Sequence, residues 1–191
     1  MTRVLLASRN AKKLAELRRI LVDTGIEIIG LDDVAPVSGA SFEENALAKA
    51  RDAAAATGLP SVADDSGIAV DALNGMPGVL SARWSGKHGD DQANLDLVLA
   101  QLTDVPDDRR GAAFVCTAAL VVPSGEETVV RGEWRGTLVR AGRGENGFGY
   151  DPIFVPDGDT RTSAELTPAE KDAQSHRGRA LALLLPHLRA L

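Results

Sequence analysis

Four short stretches of this chain carry side chains that do chemistry in company. Ser8-Arg9-Asn10-Ala11-Lys12-Lys13 lies between an apolar run and a helical pattern. Such a junction presents backbone N–H groups and the positive end of a helix dipole, which together attract an anion. Ser8 and Asn10 add hydrogen bonds, and Lys13 adds a full charge. Asn10 as a helix cap beside solvated lysines accounts for the same residues, and the spacing is not that of a P-loop. Asp64-Asp65-Ser66-Gly67 follows the apolar run Ser61-Val62-Ala63. Two adjacent carboxylates there are costly unless a cation or metal compensates them. Mg²⁺ commonly takes one or two carboxylates plus substrate phosphates, and a carboxylate can also orient or deprotonate a water. Asp-Ser-Gly is good turn chemistry too, but a strand end in an α/β sheet is where ligands bind.

The third stretch is Gly147-Phe148-Gly149-Tyr150-Asp151-Pro152. Glycines beside aromatics let the backbone approach a flat ligand while a ring stacks on it. The same rings would serve equally well as core filling. The fourth is Lys171 with Ser175-His176-Arg177-Gly178 ahead of an apolar tail. His and Arg there could read a base edge or a phosphate, or form a solvated helix–helix turn. Lys49 sits in a helical pattern, where a solvated face is the ordinary reading. Glu44 is explained by a capping box with Ser41.

The elements that position these residues are legible in outline. Apolar runs at 3–7 and 27–31 read as strands, and Ala11–Val22 and Phe42–Thr57 as helices, the latter stopped by Gly58 and Pro60. Residues 61–73 read as two short strands broken at Asp64–Gly67. A helix over Asp90–Leu102 follows, then a strand over Ala112–Val122. A hairpin leads to a strand through Ala141, with a short strand at Ile153–Val155. Thr167-Pro168-Ala169-Glu170 starts another helix, and residues 177–191 form the last. Strands alternating with helices early and a hairpin late imply an α/β fold with a mixed sheet.

Composition narrows the function. The chain has 191 residues, of which 44% are hydrophobic and 25% charged, so a single globular domain over 1–191 is expected. Aromatics are only 4%, which leaves aliphatic residues and alanine to build the core, and Trp84 and Trp134 are expected to pack at sheet edges. With 21 Lys+Arg against 27 Asp+Glu, the net charge of −6 argues against nucleic-acid or anionic-membrane partners. A small anion needs only a local cluster of cations. No apolar run spans a bilayer, and the N-terminus lacks a signal-peptide pattern, so a cytoplasmic location is expected. Cys116 is a lone cysteine in an apolar run and reads as a buried hydrophobe.

Taken together, these segments resemble the inosine/xanthosine triphosphate pyrophosphatase (Ham1-like) family over nearly the whole chain. The resemblance rests on Ser8-x-Asn10-x-x-Lys13, Phe42-Glu43-Glu44-Asn45-Ala46 and Ala63-Asp64-Asp65-Ser66-Gly67. It continues through Gly75-x-Pro77-Gly78, Ser81-Ala82-Arg83-Trp84, Gly147-Phe148-Gly149-Tyr150-Asp151-Pro152 and Ser175-His176-Arg177. Motifs in this order are specific where any one alone is weak.

The resemblance implies an elongated mixed β-sheet flanked by helices, with two lobes and an active-site cleft between them. It implies Mg²⁺-dependent hydrolysis of ITP, dITP and XTP to the monophosphate and pyrophosphate, which keeps deaminated purines out of DNA and RNA, and a homodimer. Carried onto this chain, Ser8, Arg9, Asn10, Ala11, Lys12 and Lys13 would hold the triphosphate. Asp65 would be general base and magnesium ligand, supported by Asp64. Ser66, Lys49 and Arg83 would contact phosphate or sugar. Phe148 would stack on the purine beside Gly149, Tyr150 and Asp151, and Lys171, His176 and Arg177 would surround the base. In the family an acidic residue often lies five positions before the Phe42 equivalent and joins the metal site; here that position is Val37. Two rivals stand beside this reading: a Maf-like pyrophosphatase with another base preference, and a non-catalytic nucleotide-binding sensor.

Overall fold

The structure is a computed structural model that describes residues 2–8, 10–31 and 38–191. Arg9 and Val37 lie outside the described residues. Among the described residues, six strands form one mixed sheet in the order β2-β1-β3-β4-β5-β6. They are β1 (Thr2–Ala7), β2 (Ile26–Leu31), β3 (Ser61–Val70), β4 (Gly111–Val121), β5 (Glu127–Leu138) and β6 (Phe154–Pro156). β1 pairs in parallel with both β2 and β3, whereas β5 and β6 are antiparallel. The helices are α1 (Ala11–Leu21), α2 (Phe42–Thr57), α3 (Asp91–Gln101), α4 (Pro168–Gln174) and α5 (His176–Arg189). The expected α/β class is therefore the observed one.

The chain divides into two compact units. The first comprises Met1–Asp65, Cys116–Gly132 and His176–Leu191; the second comprises Ser66–Val115 and Glu133–Ser175.

In the first unit, strand alternation sends successive side chains to opposite faces of the sheet. Val4 and Leu6 of β1, Val62 of β3 and Cys116, Ala118 and Leu120 of β4 pack with Leu14, Leu17 and Leu21 of α1 and Leu181, Leu184 and Leu188 of α5. The spacing of those leucines is that of one helical face. Leu5, Ala7, Ala63, Ala119 and Val121 point the other way, onto Ala46, Ala50, Ala53 and Ala54 of α2. Alanine along that face lets helix and sheet approach closely, as the aromatic-poor composition implied. Gly58 ends α2 at φ 67°, a left-handed conformation that glycine adopts without steric cost, and its N–H reaches the Ala54 carbonyl.

The second unit has a different core. Phe114 of β4, Trp134 of β5 and Phe154 of β6 meet with ring centroids 4.7–6.5 Å apart. Ile68, Leu95, Val98, Leu138 and Ile153 surround them. Trp134 is thus a core residue and not the sheet-edge residue expected from sequence. Arg110 is buried there too, and donates to the carbonyls of Leu102, Leu138 and Val139. Its planar fork satisfies three backbone acceptors at once, including one at the end of α3.

The main departure from the expected elements is β3. It runs unbroken from Ser61 to Val70, through the Asp64–Gly67 segment that reads as a break. Tertiary partners override the local turn preference. The carboxylates find cations, and Gly67 admits the Gly78 carbonyl and the Ser81 hydroxyl, which would lie 2.4 Å from any Cβ at that position.

Candidate functional site

Alternation along β3 decides what the two aspartates can do. Asp64 shares a face with Val62 and points toward α1 and α5, while Asp65 shares a face with Ala63 and points toward α2. Asp64 is fully buried. Its Oδ2 lies 3.3 Å from Lys13 Nζ and 3.6 Å from Arg177 Nε. The Cys116 thiol also donates to that oxygen, at 3.8 Å. Arg177 in turn donates to Glu16, another buried carboxylate one helical turn beyond Lys13 on α1. Burial opposes the charge on Asp64, but Lys13, Arg177 and Lys49 outweigh it and hold the carboxyl well below the usual carboxylate range. Burial likewise opposes the Arg177 charge, and Asp64 and Glu16 more than restore it.

Asp65 is different in kind. Its side chain keeps 18% exposure, and α2 grips it from one side. Lys49 Nζ lies 3.3 Å from Oδ1 and also donates to the Asp64 backbone carbonyl at 2.5 Å. Asn45, one turn earlier on the same face of α2, donates from Nδ2 to Oδ2 at 2.9 Å. The result is a partly accessible carboxylate with a cation beside it, above a buried and charge-compensated neighbour.

The Ser8–Lys13 segment is a strand-to-helix junction, as the sequence implied. Asn10 is the N-cap of α1, its Oδ1 accepting from the Lys12 and Lys13 N–H groups. The Ser8 hydroxyl, buried, accepts from the Asn10 N–H. Ala11 and Lys12 are exposed at the helix start. At the start of α2, Ser41 accepts from Glu44 N–H, but the Glu44 carboxylate returns to Ala40 N–H and not to the cap residue. The capping role expected for Glu44 is therefore filled with the return bond moved by one residue.

The second unit organises the glycine-aromatic stretch around Asp151, which is buried. Its Oδ2 accepts from Lys171 Nζ at 2.6 Å and from the Phe148 N–H at 2.8 Å; its Oδ1 accepts from Ser163 at 2.7 Å. Gly147 has φ 73°, and a Cβ there would lie 2.1 Å from Asp151 Oδ2, so only glycine fits. Lys171 Nζ sits 5.0 Å from the centre of the half-buried Phe148 ring, in cation–π range. Gly149 N–H is held by Asp91 at the start of α3, and the buried Tyr150 hydroxyl donates to the Ser81 carbonyl. Burial, with the Asp91 charge second, pushes the Tyr150 phenol up. Arg83 is exposed at the end of the 3-10 turn Gly78–Arg83, and Ser66 is half-buried.

The structure thus assembles the sequence-derived residues into two groups. Ser8, Asn10, Lys13, Lys49 and Asp65 belong to the first unit, and Phe148, Gly149, Tyr150, Asp151 and Lys171 to the second. Arg177, expected beside a base, is seated in the first unit on Asp64 and Glu16, and His176 is buried next to it. Sequence reasoning missed Asn45 and Glu16, whose partners lie 20 and 161 positions away.

Among the described residues, no three His, Cys, Asp or Glu side chains cluster as metal ligands. The residues present nonetheless fit a hard cation. Asp65 offers a carboxylate that keeps 18% side-chain exposure. Such a cation completes its shell with water and substrate phosphates.

The sequence model of the Ham1 family matches residues 4–187. This chain belongs to the Ham1 family. A dITP/XTP pyrophosphatase of Nocardia farcinica is 73% identical to it, across 100% of this chain and 97% of the relative. The crystal structure of a nucleoside-triphosphatase, dITP/XTP pyrophosphatase, from Mycobacterium abscessus is 66% identical and superposes with a TM-score of 0.78 over 97% of this chain and 100% of that one. A HAM1 protein from Coxiella burnetii, 44% identical, superposes with a TM-score of 0.89 over the full length of both chains. The mixed sheet flanked by helices is thus the fold of solved Ham1 proteins. Among the described residues no helix is long and apolar enough to cross a membrane.

Proposed function

We propose that this Ham1 chain is a nucleoside-triphosphate pyrophosphatase that converts dITP, XTP and ITP to the monophosphate and pyrophosphate. The observation that carries the chemistry is Asp65: a partly exposed carboxylate flanked by Lys49, next to a buried aspartate whose charge is already compensated. Full-length similarity to dITP/XTP pyrophosphatases supports the substrate class.

Asp65 takes a proton from a water that attacks the α-phosphorus in line, and pyrophosphate leaves. No covalent intermediate is required, in keeping with a site that pairs carboxylate with ammonium. Lys13 and Lys49, with the N-terminus of α1 behind Ser8 and Asn10, bind the polyphosphate, whose charge of about −4 must be neutralised during attack. Asp65 would hold Mg²⁺, which when bound would neutralise phosphate charge. Asp64 supports it as the neighbour on β3 whose own charge is already compensated by Lys13 and Arg177. Ser66 and Arg83 contact phosphate or sugar.

Selection of the base falls to the second unit. Phe148 stacks on the purine, with the Lys171 ammonium 5.0 Å from the centre of its ring. Lys171, fixed by Asp151, donates to the 6-oxo group of hypoxanthine or xanthine. Adenine places an amine there, so the donor is left unmatched, and a mismatch of this type discriminates strongly. The whole chain acts as one domain, in a cytoplasmic homodimer, and removes these nucleotides before polymerases meet them.

The test is pyrophosphate release from dITP, XTP, ITP, GTP and ATP, with and without Mg²⁺. Turnover of the first three with Mg²⁺ and little of ATP is expected, and Asp65→Asn should fold but lose most turnover. Hydrolysis of dTTP or UTP in preference would favour a Maf-like specificity. Binding of ITP without pyrophosphate release would make the chain a sensor.

A further inference from the structure

Asn45 is buried on α2 and is bound at both ends. Its Oδ1 accepts from the Gly39 N–H at 2.7 Å, and its Nδ2 donates to Asp65 Oδ2 at 2.9 Å. The amide cannot be turned round: Gly39 offers only a donor, and the Asp65 carboxylate only acceptors. Gly39 is pressed close, since a Cβ there would lie 2.9 Å from Asn45 Oδ1. The segment entering α2 therefore fixes the amide, and the amide fixes one oxygen of Asp65.

We infer that Asn45 is a positioning residue for the reaction, setting the rotation of the Asp65 carboxylate. The inference rests on the proposed role of Asp65 as base. Without a donor on Oδ2, the carboxylate is free to swing both oxygens onto the Lys49 ammonium, 3.3 Å from Oδ1. That rotation would turn toward Lys49 the lone pair that must face the attacking water. Asn45 holds Oδ2 aside, so Lys49 and the water do not compete for the same oxygen. Groups that orient a reacting carboxylate in this way commonly change activity by about 10–100-fold when removed.

The experiment compares kcat and KM for dITP in wild type, Asn45→Ala, Asn45→Asp, Asp65→Asn and the Asn45→Ala/Asp65→Asn double variant, with thermal melts of each. Asn45→Asp keeps the volume and the acceptor for Gly39, loses the amide donor to Asp65 and adds a charge, so its kcat is read over a pH profile and decides the matter should Asn45→Ala fail to fold. Positioning predicts that kcat falls by about tenfold or more with KM nearly unchanged. It also predicts that removing Asn45 costs nothing further once Asp65 is Asn. A folded Asn45→Asp enzyme with wild-type kcat, or an equal further loss in the Asp65→Asn background, overturns the positioning role alone. A wild-type protein that releases no pyrophosphate overturns the proposed function and this role with it.

Discussion

Asp64 and Arg177 are both fully buried, with Nε of the arginine 3.6 Å from Oδ2 of the aspartate. The contact joins the middle of β3 to the first turn of α5, and Lys13 and Glu16 of α1 close the network around it. Four charges that would each be costly alone are mutually compensated, two of each sign. The arrangement lets β3 carry a charged pair through the sheet: Asp64 is neutralised on the α1/α5 side, and Asp65 stays partly exposed beside Lys49 on the α2 side.

Breaking that network should be expensive. Arg177→Met removes the cation between two buried carboxylates, and removal of one partner of a buried pair typically costs about 3–5 kcal/mol. Urea denaturation of wild type and variant measures it. A loss within about 1 kcal/mol, the range of exposed pairs, would show that the network does not hold the unit together.

Asp64 also sets an acid limit. Its folded carboxyl lies below its unfolded value, because Lys13, Arg177 and Lys49 outweigh the penalty of burial. Stability from this group is therefore complete above the unfolded value near pH 4 and is lost as pH falls through the depressed folded value. Wild type should lose urea-unfolding free energy steeply below that pH. Asp64→Asn should be less stable at neutral pH yet show a flatter acid dependence. Parallel curves for the two proteins would remove Asp64 from the explanation.

Cys116 should be chemically silent in the folded protein. Burial first, and the Asp64 charge second, push its thiol up to about 12. A disulfide reagent at pH 8 should label no thiol in native protein and one in urea, since thiolate is the reacting form. Rapid labelling of native protein would contradict the buried placement.

The loop around Asp151 gives a further prediction. Gly147→Ala drives a methyl into the Asp151 carboxylate at a φ of 73°. Displacing Asp151 releases both Lys171 and the Phe148 N–H. The variant should raise KM for dITP and XTP and narrow the preference over ATP, while circular dichroism stays native. Unchanged kinetics would separate this loop from base recognition.

Local signals were a good guide where they agreed with tertiary structure. Asn10 and Ser41 read as caps and are caps, and Gly58 ends α2 as its conformational freedom allows. The alanines of α2 read as helix and also explain its close packing on the sheet. The failures share one cause. Asp64-Asp65-Ser66-Gly67 reads as a turn because its compensating cations come from α1, α2 and α5, far away in sequence. The Arg177 pairing with Glu16 is equally invisible in the sequence, because the two residues lie 161 positions apart. Asn45 belongs to a motif that carries the resemblance, but its role is invisible in sequence because a helical asparagine acquires meaning only when its partner on β3 is known. Trp134, expected at a sheet edge, lies in the core because alternation along β5 sends its exposed neighbours Glu133 and Arg135 to the other face.

The central claim is that water, activated at Asp65, attacks the α-phosphorus of a deaminated purine nucleoside triphosphate. Hydrolysis of dITP in heavy-oxygen water, read by phosphorus NMR, tests it most directly. The account predicts one labelled oxygen in the monophosphate and unlabelled pyrophosphate, with the signal nearly lost in Asp65→Asn. Label in the pyrophosphate, or release of orthophosphate, would contradict it.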